Sequence, residues 1–79
     1  MTRDKIIYIE DDRILGNLIV QALGDYGFEV DFRTTLNGVQ ESLASIPPDL
    51  LILDIEVNNQ NSLDFLPAIH SQYPQLPVI

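Results

Sequence analysis

At 79 residues the chain has room for one small domain, in which folding buries roughly 60–65% of the unfolded surface and leaves a thin core. An apolar fraction of 46% separates it from disordered chains. Twelve acidic residues against four basic ones give a net charge of −8, which repels phosphate backbones and suits cations or a basic protein face.

The first predicted element is Lys5-Ile6-Ile7-Tyr8-Ile9, a compact β-branched and aromatic run that reads as a strand. Glu10-Asp11-Asp12 ends it. From Arg13 the period changes. Ile14, Leu15, Leu18, Ile19, Ala22, Leu23 and Tyr26 recur at helical spacing, so a helix is expected over about 13–26. Asp12 or Asp11 is placed to cap it, and Gly27 is a natural stop. Val30 and Phe32 alternate with charge in Glu29–Arg33, a second short strand. Thr34 or Thr35 can cap a second helix that turns Leu36, Val39, Leu43 and Ile46 to the core, and Pro47-Pro48 ends it. Leu50–Leu53 is a strand of four aliphatic residues buried on both faces, with Asp54 at its tip. After a polar loop comes a third amphipathic segment with Leu63, Leu66, Ile69 and Tyr73. Asp64 as its N-cap would leave Pro67 in the first turn, where a missing N–H costs nothing. Pro77-Val78-Ile79 opens a fourth strand.

Strands separated by helices are too far apart in sequence for hairpins. The order β-α-β-α-β-α-β therefore predicts an α/β fold with a parallel sheet, right-handed crossovers and helices on both faces. With no cysteine there is no disulfide framework and no thiolate metal site. No apolar run approaches membrane-spanning length and no signal segment is read at the start, so a cytoplasmic chain is the expectation.

An acid at the C-terminal end of a parallel strand sits where such sheets keep their chemistry. If the first strand neighbours the third, Glu10 and Asp11 meet Asp54 across the crevice. Two full charges about 4 Å apart repel by roughly 4 kcal/mol at an effective dielectric near 20. Three such groups need a cation, or one must keep its proton. A hard divalent ion such as Mg²⁺ satisfies them, and a carboxylate beside it is set up to take a phosphoryl group. The plainer alternative for Glu10-Asp11-Asp12 is a solvated helix cap. His70, a single His on a polar face, reads as solvent-exposed, and Tyr26, Phe28, Phe32 and Tyr73 read as core or rim packing.

Two motifs, Ile7-Tyr8-Ile9-Glu10-Asp11-Asp12 and Pro48-Asp49-Leu50-Leu51-Ile52-Leu53-Asp54, lie with 43 positions from Asp11 to Asp54 (54 − 11). In this the chain resembles the receiver domain of two-component response regulators. The resemblance implies a flavodoxin-like doubly wound sheet, and the strand order 2-1-3-4-5 is carried over from that family. It implies that residues 1–79 are a receiver domain incomplete at the C-terminus, a (βα)5 fold cut after the start of its fourth strand. It makes Asp54 the phospho-acceptor, Asp11 a direct Mg²⁺ ligand, Glu10 the holder of metal-bound water and Glu56 a donor of its backbone carbonyl. A sensor histidine kinase is the implied phosphodonor, and a C-terminal output domain or downstream partner reads the signal. The family's switch Ser/Thr, phosphate-pairing Lys and switch aromatic would lie beyond Ile79; Lys5 is at the wrong end of its strand to replace that Lys.

Departures fall in the loop after the acceptor. Asn58 stands where the family usually has proline, and Asn61-Ser62 stand at its Asp-Gly pair. A Ser there would strain any left-handed backbone that a Gly takes freely. This loop motivates one alternative, a non-phosphorylated pseudo-receiver that only binds partners. An aspartyl-phosphate phosphohydrolase is the other, with Glu56 an imperfect match to the second Asp such enzymes carry. The signalling reading is not an enzyme. A stub of a fourth strand also predicts an unpaired sheet edge that invites a homodimer or aggregation.

Overall fold

A computed structural model describes residues 4–57 and 60–79. Strand β1 (Lys5–Ile9) lies at the centre of a parallel sheet between β2 (Glu29–Arg33) and β3 (Leu50–Leu53), in the order β2-β1-β3. The register pairs Tyr8 with Phe32 on one side and with Ile52 on the other. The fourth strand begins where expected, with Val78 bridging Leu51 in parallel. Leu51 N–H donates to the Pro77 carbonyl at 3.0 Å, and Leu53 N–H to the Ile79 carbonyl at 2.9 Å. The described order is thus 2-1-3 followed by the 77–79 stretch.

Helix α1 (Arg13–Asp25) joins β1 to β2. Of the two acids that could cap it, Asp12 does so, accepting from Ile14 N–H at 3.0 Å and Leu15 N–H at 3.1 Å. That choice leaves Asp11 outside the cap. Gly27 takes φ 92° after the helix, and the next two amides fold back onto the last turn, Gly27 to the Gly24 carbonyl and Phe28 to that of Leu23.

Helix α2 (Val39–Ser45) starts later than the threonines suggest. Its N-cap is Gly38 at φ 77°, a left-handed conformation that a threonine would resist. Thr35 Oγ1 instead accepts from Asn37 N–H within the preceding turn. Val39 and Leu43 are buried as predicted, one turn apart, whereas Ile46 ends the helix exposed.

The loop after β3 is a short antiparallel hairpin, β4 (Glu56–Val57) paired with β5 (Gln60–Asn61). Asn58, at the proline position of the resemblance, lies outside the described residues. A 3₁₀ turn, Ser62–Asp64, follows, with Asn61 Oδ1 accepting from Leu63 N–H at 2.9 Å. Helix α3 (Leu66–Gln72) then has Phe65, not Asp64, at its N-cap. Pro67 does fall in the first turn, because the 3₁₀ turn takes up the residues that would otherwise extend the helix backward.

Side chains alternate across a strand, so the sheet has two distinct faces. Ile7, Ile9 and Leu51 form one buried cluster with Val39 and Leu43 of α2, Ile69 of α3 and Val57 of the hairpin. Tyr8 and Phe32 face the other way and stack at 5.6 Å beneath α1. Gly16 rests on the Phe32 ring: a Cβ there would come within 2.1 Å of Phe32 Cζ, so any larger residue requires the ring or the helix to move. The rest of the α1 stripe is less covered than its periodicity predicts. Ile14, Leu15 and Leu18 are exposed, and Tyr26 is 83% exposed rather than packed.

Candidate metal and phosphoryl site

The C-terminal ends of β1 and β3 bring the predicted acids together. Asp54 N–H donates to the Ile9 carbonyl at 3.2 Å, carrying the pairing of the two strands one step past Ile9 and Leu53. Glu10 N–H donates to the Arg33 carbonyl at 2.9 Å, so its backbone is held from the β2 side. Carboxylate oxygens of Glu10, Asp11 and Asp54 all lie within 4.8 Å of one another. Glu10 is the buried member at 8% exposure, Asp54 is half-buried and Asp11 is exposed.

Such crowding has a price in protonation. Burial raises the Glu10 pKa above the ordinary carboxylate range. The Asp12 amide, donating to Glu10 Oε2 at 3.3 Å, opposes that rise. The hydrogen-bonded, negatively charged Asp54 and then Asp11 add to it. The Tyr8 hydroxyl is affected too: burial raises its pKa, followed by the charges of Glu10, Asp54 and Asp12. A divalent cation is the natural relief. Three carboxylate oxygens converging at this spacing form a hard donor set that fits an oxygen-liganded ion such as Mg²⁺.

Comparison with known proteins places the chain in a family. The family profile described as the response regulator receiver domain matches residues 6–79. The chain belongs to the response regulator receiver family. A probable transcriptional regulatory protein of Picosynechococcus is 33% identical over 85 residues, covering 99% of this chain and 34% of that protein. The transcriptional regulatory protein QseB of Haemophilus influenzae is 32% identical over 75 residues, with 95% of this chain and 34% of that protein covered. This receiver chain therefore spans about a third of the length of those relatives. Among solved structures, the BeF3-activated N-terminal receiver domain of Klebsiella pneumoniae RstA superposes with a TM-score of 0.84 at 29% identity. That match covers 95% of this chain and 63% of the RstA chain.

The remaining expected site residues are placed as follows. Glu56 opens the hairpin opposite Asn61 with its side chain exposed, outside the carboxylate cluster. Lys5 is at the far end of β1, its amide bonded to Asp49 Oδ2 at 2.7 Å. His70 is exposed on α3.

Ser62 takes a role that its position in the loop does not announce. Instead of being forced into a left-handed conformation, it opens the 3₁₀ turn, 1% exposed. Its hydroxyl donates to the backbone carbonyl of Asp54 and lies 3.0 Å from that of Ile55. Its N–H donates to the Ile55 carbonyl at 2.7 Å. The signal was present in the sequence: a hydroxyl where the family has glycine adds a donor, and a buried donor needs an acceptor nearby.

Proposed function

We propose that this receiver accepts a phosphoryl group on Asp54 from a sensor histidine kinase, in the presence of Mg²⁺, and passes the signal to an output domain or downstream partner. The observation that carries the reading is the convergence of Glu10, Asp11 and Asp54 within 4.8 Å at the strand ends. Glu10, Asp11 and Asp54, with the backbone carbonyl of Glu56, would hold the cation. When bound, the cation supplies positive charge to offset the carboxylates and the incoming phosphoryl oxygens.

The chain's own residues account for the rest. An Asp54 carboxylate oxygen attacks phosphorus while the donor's N–P bond breaks, and the electron pair returns to the imidazole nitrogen. The product is an acyl phosphate on Asp54 and a free histidine on the kinase. Asp12 stays with α1 as its cap, which keeps it from competing for the site. The new group brings a charge of about −1.5 to −2 and acceptor oxygens that can bias a two-state surface.

This is a signalling role and not an enzymatic one. In this reading residues 1–79 are the N-terminal part of one receiver domain, acting in the cytoplasm, with homodimerisation a further element of the proposal. The domain itself contacts neither nucleic acid nor membrane. Control of transcription, named for its longer relatives, would belong to a separate output domain. No helix among the described residues is long and apolar enough to cross a membrane.

The test is to incubate the chain with acetyl phosphate and Mg²⁺ and follow intact mass. One added phosphoryl group is expected in the wild type and none in Asp54→Asn. No addition, or addition that survives Asp54→Asn, removes the acceptor assignment and leaves a binding-only receiver.

A further inference from the structure

We propose that Ser62 is a positioning residue for Asp54, holding the peptide from which the acceptor carboxylate projects. The proposal rests on the acceptor reading above and extends it to a residue outside the acidic cluster.

Asp54 is the first residue beyond β3, and its two peptide groups are secured differently. On the amide side, sheet pairing supplies the partner, the Ile9 carbonyl. On the carbonyl side the chain has left the sheet and enters the hairpin. There Ser62 returns from eight residues downstream and donates its hydroxyl to the Asp54 carbonyl. Its N–H secures the next carbonyl, that of Ile55, at 2.7 Å. One residue thus fixes two successive peptides of the acceptor loop.

Ser62 is itself well held. Phe65 N–H donates to its carbonyl at 2.9 Å, and Asn61 caps the turn it opens. Val57, on the neighbouring strand of the hairpin, is fully buried in the cluster formed with α2 and α3. The clamp therefore ties Asp54 to the best-packed side of the molecule. At 1% exposure, water has little access to replace the hydroxyl if it is removed. A glycine at this position could still offer its N–H but not the second donor. Orientation of a reacting carboxylate matters steeply, since misplacement by about 1 Å can cost on the order of a hundredfold in rate.

The experiment uses the full chain as wild type, Ser62→Ala and Ser62→Gly, each assayed at a temperature where its melt shows it folded. The phosphorylation rate with acetyl phosphate at saturating Mg²⁺ is expected to fall roughly tenfold without the hydroxyl. Loss of global stability alone would not change the rate per folded chain. Rates within twofold of wild type in both variants would overturn the proposal. The second readout is the carbon resonance of the Asp54 carboxylate in Mg²⁺-free protein. A shift on Ser62→Ala confined to Asp54 and its immediate neighbours supports the clamp; an unchanged resonance overturns it. If the wild type takes no phosphoryl group, the acceptor reading falls by itself and the resonance alone decides whether Ser62 positions Asp54. Should Ser62→Ala fail to fold, Ser62→Gly carries both measurements.

Discussion

On one face of the sheet, Ile7, Ile9 and Leu51 meet Val39, Leu43 and Ile69, and every one of them is buried. On the other, α1 lies over Tyr8 and Phe32 while Ile14 and Leu18 remain 79% and 61% exposed. The first face is a layer with interlocking side chains from two helices and a hairpin. The second is a single helix resting through Gly16 on Phe32, which stacks on Tyr8. The site straddles this difference. Asp54 is tied through Ser62 to the hairpin and the packed face, whereas Asp11 directly precedes the cap of the less covered helix. The Asp54 carboxylate should therefore be the better-anchored part of the cluster, and the Asp11 side the part that depends on α1.

The largest expected effect tests the packed face. Leu51→Ala removes a fully buried side chain from the central cluster and should cost about 2–5 kcal/mol. In so small a domain that exceeds much of the available stability, and the urea melt should lose its cooperative transition. A melt shifted by less than about 1 kcal/mol would mean that the packed face is not the main source of stability.

Next comes the seat of α1. Gly16→Ala gains helix propensity but drives a methyl into the Phe32 ring, which is itself stacked on Tyr8. A net loss of about 1–3 kcal/mol is expected. Phe32→Leu in the same chain shortens the obstructing side chain and should recover part of it. If Gly16→Ala alone is neutral or stabilising, the close approach of helix and ring does not hold α1 in place.

A third prediction concerns the acids between the two faces. Mg²⁺ at ten times its dissociation constant should stabilise the wild type by about 1.4 kcal/mol, and EDTA should remove the gain. Glu10→Gln is expected to reduce this response. The pH dependence follows from the raised Glu10 pKa. Because the fold favours protonated Glu10, that contribution is fully present below the unfolded pKa and is lost as pH rises through the folded value. In Mg²⁺-free buffer the wild type should thus lose stability relative to Glu10→Gln across that window. Mg²⁺ should reverse the trend and release protons on binding. Parallel pH profiles for the two chains would show that Glu10 carries no such shift.

The packed face and the acidic site were legible in the sequence for the same reason. Both depend on strand pattern: alternation along β1 and β3 sets Ile7, Ile9 and Leu51 on one face, and Glu10 and Asp54 end these runs, although of Leu50–Leu53, expected to be buried on both faces, only Leu51 is fully buried. Register then does the rest. What the sequence did not show depends on neighbours distant along the chain. Helical spacing marks Ile14 and Leu18 as apolar but does not say what lies over them. The α2 cap is a local exception: a threonine is a good cap in general, but the backbone at Gly38 turns left-handed. The role of Ser62 depends on a carbonyl eight residues away.

The smallest expected effect tests the less covered face directly. Leu18→Gln on α1 replaces an apolar side chain that is 61% exposed by a polar one of similar length and nearly equal helix propensity. Transfer of the removed surface has largely not occurred in the 79-residue chain, so the change should stay within about 0.5 kcal/mol. The same substitution at Leu43, buried on the packed face, should cost several times more, because a buried amide without partners adds a desolvation penalty. The ratio of the two costs, read from urea melts, measures the difference between the faces. A Leu18→Gln loss near that of Leu43→Gln would mean that something covers α1 in solution, and a concentration-dependent melt would identify it as a second copy of the chain.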